Sequence, residues 1–214
     1  MKNQAVKAKT RNKKEEVLEI ASNCFLSNGF DGTSINVMAR DAGISKESIY
    51  RYFGSKEDLF KAVIERELEV YQQGMEETSA DYREQTIEEA LFHVAETTLK
   101  LLTHERTQAL RRLIFHMAAS GSKVGRHYYQ VGPRIAYLNL QKVFEYHFTD
   151  DAGVWKAPLN ADKLSVYFMG MVLNPVTLER ECGVLGELST RELRRRCREI
   201  VSDFMEGFRL QPVR

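Results

Sequence analysis

Apolar side chains return at three- and four-residue intervals from one end of this chain to the other, and no stretch alternates strictly between apolar and polar residues. The first pattern lines one face of an α-helix, and the second would line one face of a strand. Four prolines, at 133, 158, 175 and 212, leave long uninterrupted segments for helix. An all-α fold is therefore expected. The 214 residues suffice for one ordinary domain or two small ones.

Stop and start signals divide the chain. Val17, Ile20, Ala21, Cys24 and Phe25 form the stripe of a helix from about Lys13 to Ser27, ended by Asn28-Gly29. Thr33 is the expected N-cap of a short helix through Arg40, and Ser45 that of another from Lys46 to about Tyr52. Ser55-Lys56-Glu57-Asp58 reads as a capping box opening a long helix to about Gln73. The polar stretch from Gly74 to Tyr82 marks a boundary, giving a basic arm at 1–12, a first part at 13–73 and a second part at 75–214. In the second part, Thr86-Ile87-Glu88-Glu89 is another capping box, a further helix starts near Thr107, and 121–132 is a loop or broken helix. Pro133 opens a helix to about Phe148, and 150–160 is a turn.

The last two helices, about 161–180 and 190–209, differ from the rest. VYFMGMVLNPV is apolar nearly all round, so its helix has to be buried on more than one side. The final stripe is Leu193, Cys197, Ile200, Val201, Phe204, Met205 and Phe208. Two such helices fit a homodimer interface, and also an internal core, because obligate interfaces are composed like cores.

Charge separates the two parts. Residues 1–56 hold ten Lys/Arg and six Asp/Glu, a balance of +4, which leaves −3 for the rest of a chain of net charge +1. Residues 1–14 alone carry six cations and no acid. Such asymmetry suits a polyanionic partner for the first quarter, or a solvated tail. No apolar run approaches the roughly 18 residues a bilayer span needs, and the N-terminus lacks the apolar segment of a secretory signal. No membrane association and a cytoplasmic location are expected. Cys24, Cys182 and Cys197 are far apart and form no C-x-x-C pair, which reads as free thiols in a reducing compartment. Nucleotide-loop, nucleophile-elbow and zinc-protease motifs are missing, and the five histidines show no metal-ligand spacing. No catalytic activity, cofactor or metal is expected.

The stretch TSINVMARDAGISKESIYRYFGSK, Thr33 to Lys56, is the most informative. Two short helices joined by a tight turn with Gly43 make a helix-turn-helix, over about 33–53. Ile35, Met38, Ala39, Ile44 and Ile49 can hold the pair from inside, leaving Lys46, Glu47, Ser48, Arg51 and Tyr52 outward. A helix so dressed fits the DNA major groove. Arg51 can take a guanine bidentately and Glu47 can accept from a cytosine amino group. An acid facing phosphates has either to read a base or to pair with Lys46 or Arg51.

This stretch, with Ala21, Phe25 and Gly29-Phe30 before it and Glu57 and Leu59 after it, resembles the tetracycline-repressor family of regulators. The resemblance covers about residues 11–70. It implies a three-helix DNA-binding domain followed by a larger helical bundle for ligand binding and dimerisation. It further implies phosphate contacts from Thr33 or Ser34, from Tyr50 and from Lys56, and base reading by Lys46, Glu47, Ser48 and Arg51, with Tyr52 on bases or backbone. The two tyrosines are also apt as packing aromatics. Many relatives carry glycine where this chain has Glu47, which leaves the operator preference open. Residues 1–14 are placed to reach the minor groove or the backbone.

The segment ALRRLIFHMAASGSKVGRHYYQVGP resembles, more weakly, the C-terminal part of AefR-like repressors, which control efflux and autoinducer genes. This implies a cavity for a small apolar or amphipathic effector among the middle helices and a homodimer built by the last two. Phe92, His93, Glu96, Phe115, His116, Ala119, Tyr137, Phe168 and Met171 are candidate lining residues, apolar with a few polar groups. The long helix from Ser55 would carry the effector signal to double-stranded operator DNA, releasing a repressor. The alternative is a helical ligand- or partner-binding protein without ligand-controlled DNA release. The run Arg194-Arg195-Arg196 is expected on the solvated face of the last helix.

Overall fold

The computed structural model describes residues 2–150 and 159–208, with side chains described over 13–69, 82–147 and 159–208. The helices in order are α1 (Lys2–Gly32), α2 (Ile35–Asp41), α3 (Lys46–Phe53), α4 (Lys56–Asp81), α5 (Ile87–Thr103), α6 (Glu105–Ala119), α7 (Val124–Val131), α8 (Pro133–Asp150), α9 (Ala161–Leu173), α10 (Val176–Glu181) and α11 (Thr190–Phe208). No strand occurs among the described residues, as the three-to-four periodicity requires.

The chain divides into two compact units, Met1–Glu69 with Ala109–Val131, and Val70–Gln108 with Gly132–Arg214. The first is organised around α1 to α4. Val17, Ala21 and Phe25 of α1, Met38 of α2, Ile49 of α3, and Leu59, Phe60, Val63 and Ile64 of α4 are almost wholly shielded from solvent. Phe25, Phe30 and Phe60 lock the end of α1 to α4, with ring centroids 4.9 to 5.7 Å apart. Burying each such ring contributes about 1.5–3 kcal/mol. A polar clamp lies beside them. The buried Ser22 hydroxyl donates to Glu67 at 2.7 Å, and Arg66 binds Glu19. This clamp is not visible in the residue pattern, because its partners lie 45 and 47 positions apart.

The second unit packs α5, α8, α9 and α11 around Leu91, Leu99, Leu140, Phe144, Leu164, Phe168 and Phe204. Phe204 is the hub, with Phe168 at 5.1 Å, Phe144 at 5.7 Å and Phe208 at 4.7 Å. The Thr86–Glu89 capping box forms in both directions, and Arg180 donates to the carbonyls of Thr103 and Leu185, tying α10 to the end of α5.

Several boundaries differ from the sequence reading. Helix α1 starts at Lys2, not Lys13, and a non-helical Gly29 (φ 71°) kinks its end. The side chains of the expected basic arm, 1–12, lie outside those described. Helix α4 continues through Gly74 to Asp81, because one glycine lowers helix stability by only about 1 kcal/mol. Of the loop or broken helix expected over 121–132, the broken helix is found: α7 follows α6 after a short break, and lies so close to it that a Cβ at Gly125 would sit 2.7 Å from that of Ala118. The single helix expected over 161–180 is broken between α9 and α10 at Asn174-Pro175, where proline has no N–H for the preceding turn. Most of the turn expected over 150–160 lies outside the described residues.

Candidate nucleic-acid interface

Local chemistry sets up α3. Gly43 adopts the left-handed turn (φ 60°), the Ser45 side chain caps the helix by accepting from Ser48 N–H at 3.2 Å, and Gly54 (φ 87°) ends it. Ile49, 1% exposed, is the inward anchor. With Ile49 inward, helical geometry turns Lys46, Glu47, Tyr50 and Arg51 out, and all four are exposed, while Ser48 and Tyr52 are half-buried.

Cations on this surface rest on aromatic rings. Lys46 Nζ lies 5.7 Å from the Tyr50 ring centroid, Arg51 Cζ 5.6 Å from that of Tyr52, and Lys56 Nζ 4.7 Å from that of Phe30. Lys14 Nζ sits 5.8 Å from both the Tyr52 and the Phe53 centroids. A ring holds a cation in place without neutralising it, so the full positive charge stays available to a phosphate. Arg51 is held further by donating to Ser48 Oγ at 3.1 Å. The contributions of Lys14 and Phe30 are visible only here; in sequence, Lys14 is one of several basic residues in a run.

Thr33 and Ser34 separate clearly. Thr33 is 5% exposed, and its single hydroxyl proton is directed at backbone carbonyls, Gly29 O at 2.6 Å or Cys24 O at 3.1 Å. Ser34, not the expected Thr33, is the N-cap of α2, and its exposed side chain makes no capping bond. The available donor of the two is Ser34. Tyr50 is 40% exposed, whereas Tyr52 is half-buried, with both Lys14 and Arg51 near its ring.

The acids nearby stay ionised. Hydrogen bonds from its own backbone N–H and from the Ser45 hydroxyl, helped by Lys46, hold the Glu47 carboxyl below its usual range. The Ser55 hydroxyl, then Lys61, do the same for Asp58 at the start of α4.

The candidate effector residues fall in several places. Phe92 and His93 line an open cleft of about 500 Å³ between α5 and α11, with Arg194, Arg198, Val201 and Met205. Glu96 is ion-paired with Lys100 at 3.3 Å and Arg194 at 3.5 Å. Met171 lines a separate groove of about 620 Å³ on the outer side of α9, with Val166, Tyr167, Gly170 and Phe208. Phe168 sits in the closed core, and Tyr137 packs half-buried against it. Phe115, His116 and Ala119 belong to the first unit and are exposed, with Arg111 Cζ 5.4 Å from the Phe115 centroid. The arginine run is less solvated than expected, since Arg196 reaches Glu179 of α10 at 3.3 Å and Arg194 stacks on Phe92 at 5.4 Å. Burial, then the nearby Glu96, push the Cys197 thiol up to about 12, so it is a core side chain at neutral pH. Among the described residues there is no cluster of three metal-ligating side chains, and no helix is long and apolar enough to cross a membrane.

Known proteins share this architecture. Residues 17–63 match the bacterial regulatory proteins of the tetR family, and residues 89–209 match the AefR-like transcriptional repressor C-terminal domain. The regulator AcrR of Shigella flexneri is 28% identical over 117 residues, 51% of each chain. The chain thus spans about half the length of this curated relative. A TetR-family transcriptional regulator from Mesorhizobium loti superposes with a TM-score of 0.81 at 26% identity, over 94% of this chain and 98% of that one. The regulator FadR of Bacillus subtilis, in complex with stearoyl-CoA, shares the fold with a TM-score of 0.69 at 17% identity, over 90% of this chain and 98% of that one.

Proposed function

This chain belongs to the tetR family of bacterial regulatory proteins, with a C-terminal part of the AefR-like kind, and on that premise we propose that it is a cytoplasmic homodimeric repressor, released from its operator by a small apolar or amphipathic effector. The observation that carries the DNA-binding half is the outward face of α3, where Lys46 and Arg51 are steadied by rings and left without a carboxylate partner among the described residues. In this reading Ser34, Tyr50 and Lys56 bind phosphates, and Lys46, Ser48 and Arg51 face base edges. Thr33 braces the turn, and Tyr52 supports Arg51 and Lys14. Two α3 helices enter successive major grooves about 34–36 Å apart.

Support for the dimer comes from α9. Val166 and Tyr167 are 49% and 44% exposed, and Tyr167 stacks on Phe208 at 5.6 Å. Large apolar side chains grouped on one face fit a second copy of the same helices. The effector class is supported by the cleft of about 500 Å³ at Phe92 and His93, which Val201 and Met205 make partly apolar and Arg194 and Arg198 partly basic; Phe168 in the closed core, Met171 in a separate groove, and Phe115, His116 and Ala119 in the first unit lie outside it. FadR, which shares the fold, is bound to stearoyl-CoA, so a chain-bearing amphiphile is the first effector to try.

The test is fluorescence anisotropy with a duplex from the protein's own promoter region at several salt concentrations, using the wild type and a Tyr50→Ala, Lys56→Ala variant. Affinity that falls steeply with salt and is lost in the variant is expected. Long-chain acyl-CoA is then titrated into the complex. Retention of DNA at saturating acyl-CoA, with acyl-CoA bound, would favour a ligand-binding protein without ligand-controlled release.

A further inference from the structure

The recognition helix displays one acid among its cations. A surface that meets phosphates loses affinity to any carboxylate it shows, because like charges brought together repel. Glu47 does not avoid this by burial, since it is exposed. Nor does an ion pair neutralise it: Lys46 lies over Tyr50, and Arg51 is engaged by Ser48 and Tyr52.

Hydroxyls hold Arg51 instead. Arg51 Nη2 donates to Ser48 Oγ at 3.1 Å, and Ser48 Oγ and Ser45 Oγ are 3.1 Å apart. Glu47 and Arg51 are four positions apart and so neighbours on one helix face, yet no ion pair joins them among the described residues, and the Glu47 carboxyl is held below its usual range by its own backbone N–H and the Ser45 hydroxyl. The guanidinium only donates and the carboxylate only accepts.

We propose that Glu47 is a specificity-determining residue that accepts a hydrogen bond from the exocyclic amino group of a cytosine in the major groove and rejects half-sites lacking that donor. Cytosine offers only this donor at its major-groove edge, whereas guanine offers two acceptors and thymine an acceptor and a methyl group. An ionised carboxylate is repelled by those acceptors. Adenine sets an N7 acceptor beside its amino group, which opposes the second carboxylate oxygen. Glu47 can act in this way only if the chain reads DNA as proposed above.

The experiment begins with selection of bound duplexes from a random-sequence pool by the full-length protein. Every base pair of the resulting consensus is then replaced in turn, and affinities are measured for wild type, Glu47→Ala and Glu47→Gln. For the wild type, replacing one C·G pair per half-site is expected to weaken binding roughly fivefold or more. Glu47→Ala reduces that one penalty below about twofold, leaves the others in place and binds a non-consensus duplex more tightly. Glu47→Gln moves the preferred base to adenine, whose N6 and N7 a carboxamide engages together. If both variants keep every wild-type penalty, the carboxylate serves only the start of the helix and the inference is overturned. If the wild type selects no consensus at all, the DNA-binding function itself fails, and Glu47 reads nothing. Unfolding midpoints equal to wild type show that any change lies at the interface.

Discussion

Helices α3 and α11 are both amphipathic and both carry several cations, and Arg194 and Arg198 of α11 also lie over the Phe92 ring, yet the arginine run of α11 finds carboxylates where the cations of α3 do not. On α11, Arg194 pairs with Glu96, Arg195 with Glu199 at 2.6 Å, and Arg196 with Glu192 and Glu179. On α3, Lys46 and Arg51 rest on aromatic rings and a serine hydroxyl. Carboxylate partners spend the charge inside the molecule, whereas rings position it and leave it to an external anion. Counting basic residues would not distinguish the two helices; their immediate neighbours do.

The largest effect that could break this contrast lies beneath α11. Phe204→Ala removes the ring around which Phe144, Phe168 and Phe208 pack, and a loss of about 3–5 kcal/mol in chemical denaturation is expected. A loss below about 1 kcal/mol would show that α11 is not the closing helix of a tight core.

Next in size is Arg51→Ala. It is expected to weaken operator binding by about 1–3 kcal/mol and to leave the unfolding midpoint at its wild-type value. A drop in stability equal to the drop in affinity would mean that Arg51 belongs to the fold, as the arginines of α11 do.

The arginines of α11 should show the reverse. Arg196→Ala, which unties α10 from α11, is expected to lower stability by about 1 kcal/mol, and Arg195→Ala by less than about 0.5 kcal/mol, because an exposed i,i+4 pair is worth little. Neither substitution should change the affinity for DNA measured by anisotropy. A tenfold loss in either would extend the nucleic-acid surface onto α11.

The smallest effect is one of pH. Hydrogen bonds from the Thr86 backbone N–H and hydroxyl hold the Glu89 carboxyl below its ordinary value of 4.5. A depressed folded-state value means that the stabilisation is fully present above the unfolded value and is lost as pH falls through the folded one. The unfolding temperature of Glu89→Gln should therefore fall less steeply than that of the wild type on acidification below 4.5. Parallel curves would show that the capping box contributes no pH dependence.

Much of the architecture was legible before any coordinates. The capping residues Ser45, Ser55 and Thr86 all accept from the backbone N–H three positions on, because a cap is a local interaction between near neighbours. The helix-turn-helix was legible for the same reason, as Gly43, Ile49 and Gly54 act within a few residues. The break at Pro175 was available in sequence too, but the apolar composition of 161–180 outweighed it.

The amino-acid sequence alone determined the helical class, the helix-turn-helix and the caps at Ser45, Ser55 and Thr86, since each follows from periodicity or from contacts between near neighbours. Only the tertiary structure decided which hydroxyl of Thr33 and Ser34 is available, which cations rest on rings and which on carboxylates, and that Phe92, Phe168 and Met171 lie in three different environments. Those outcomes depend on partners brought together from distant positions, such as Ser22 with Glu67 or Arg196 with Glu179, and the spacing of residues along the chain does not record which distant side chains will meet.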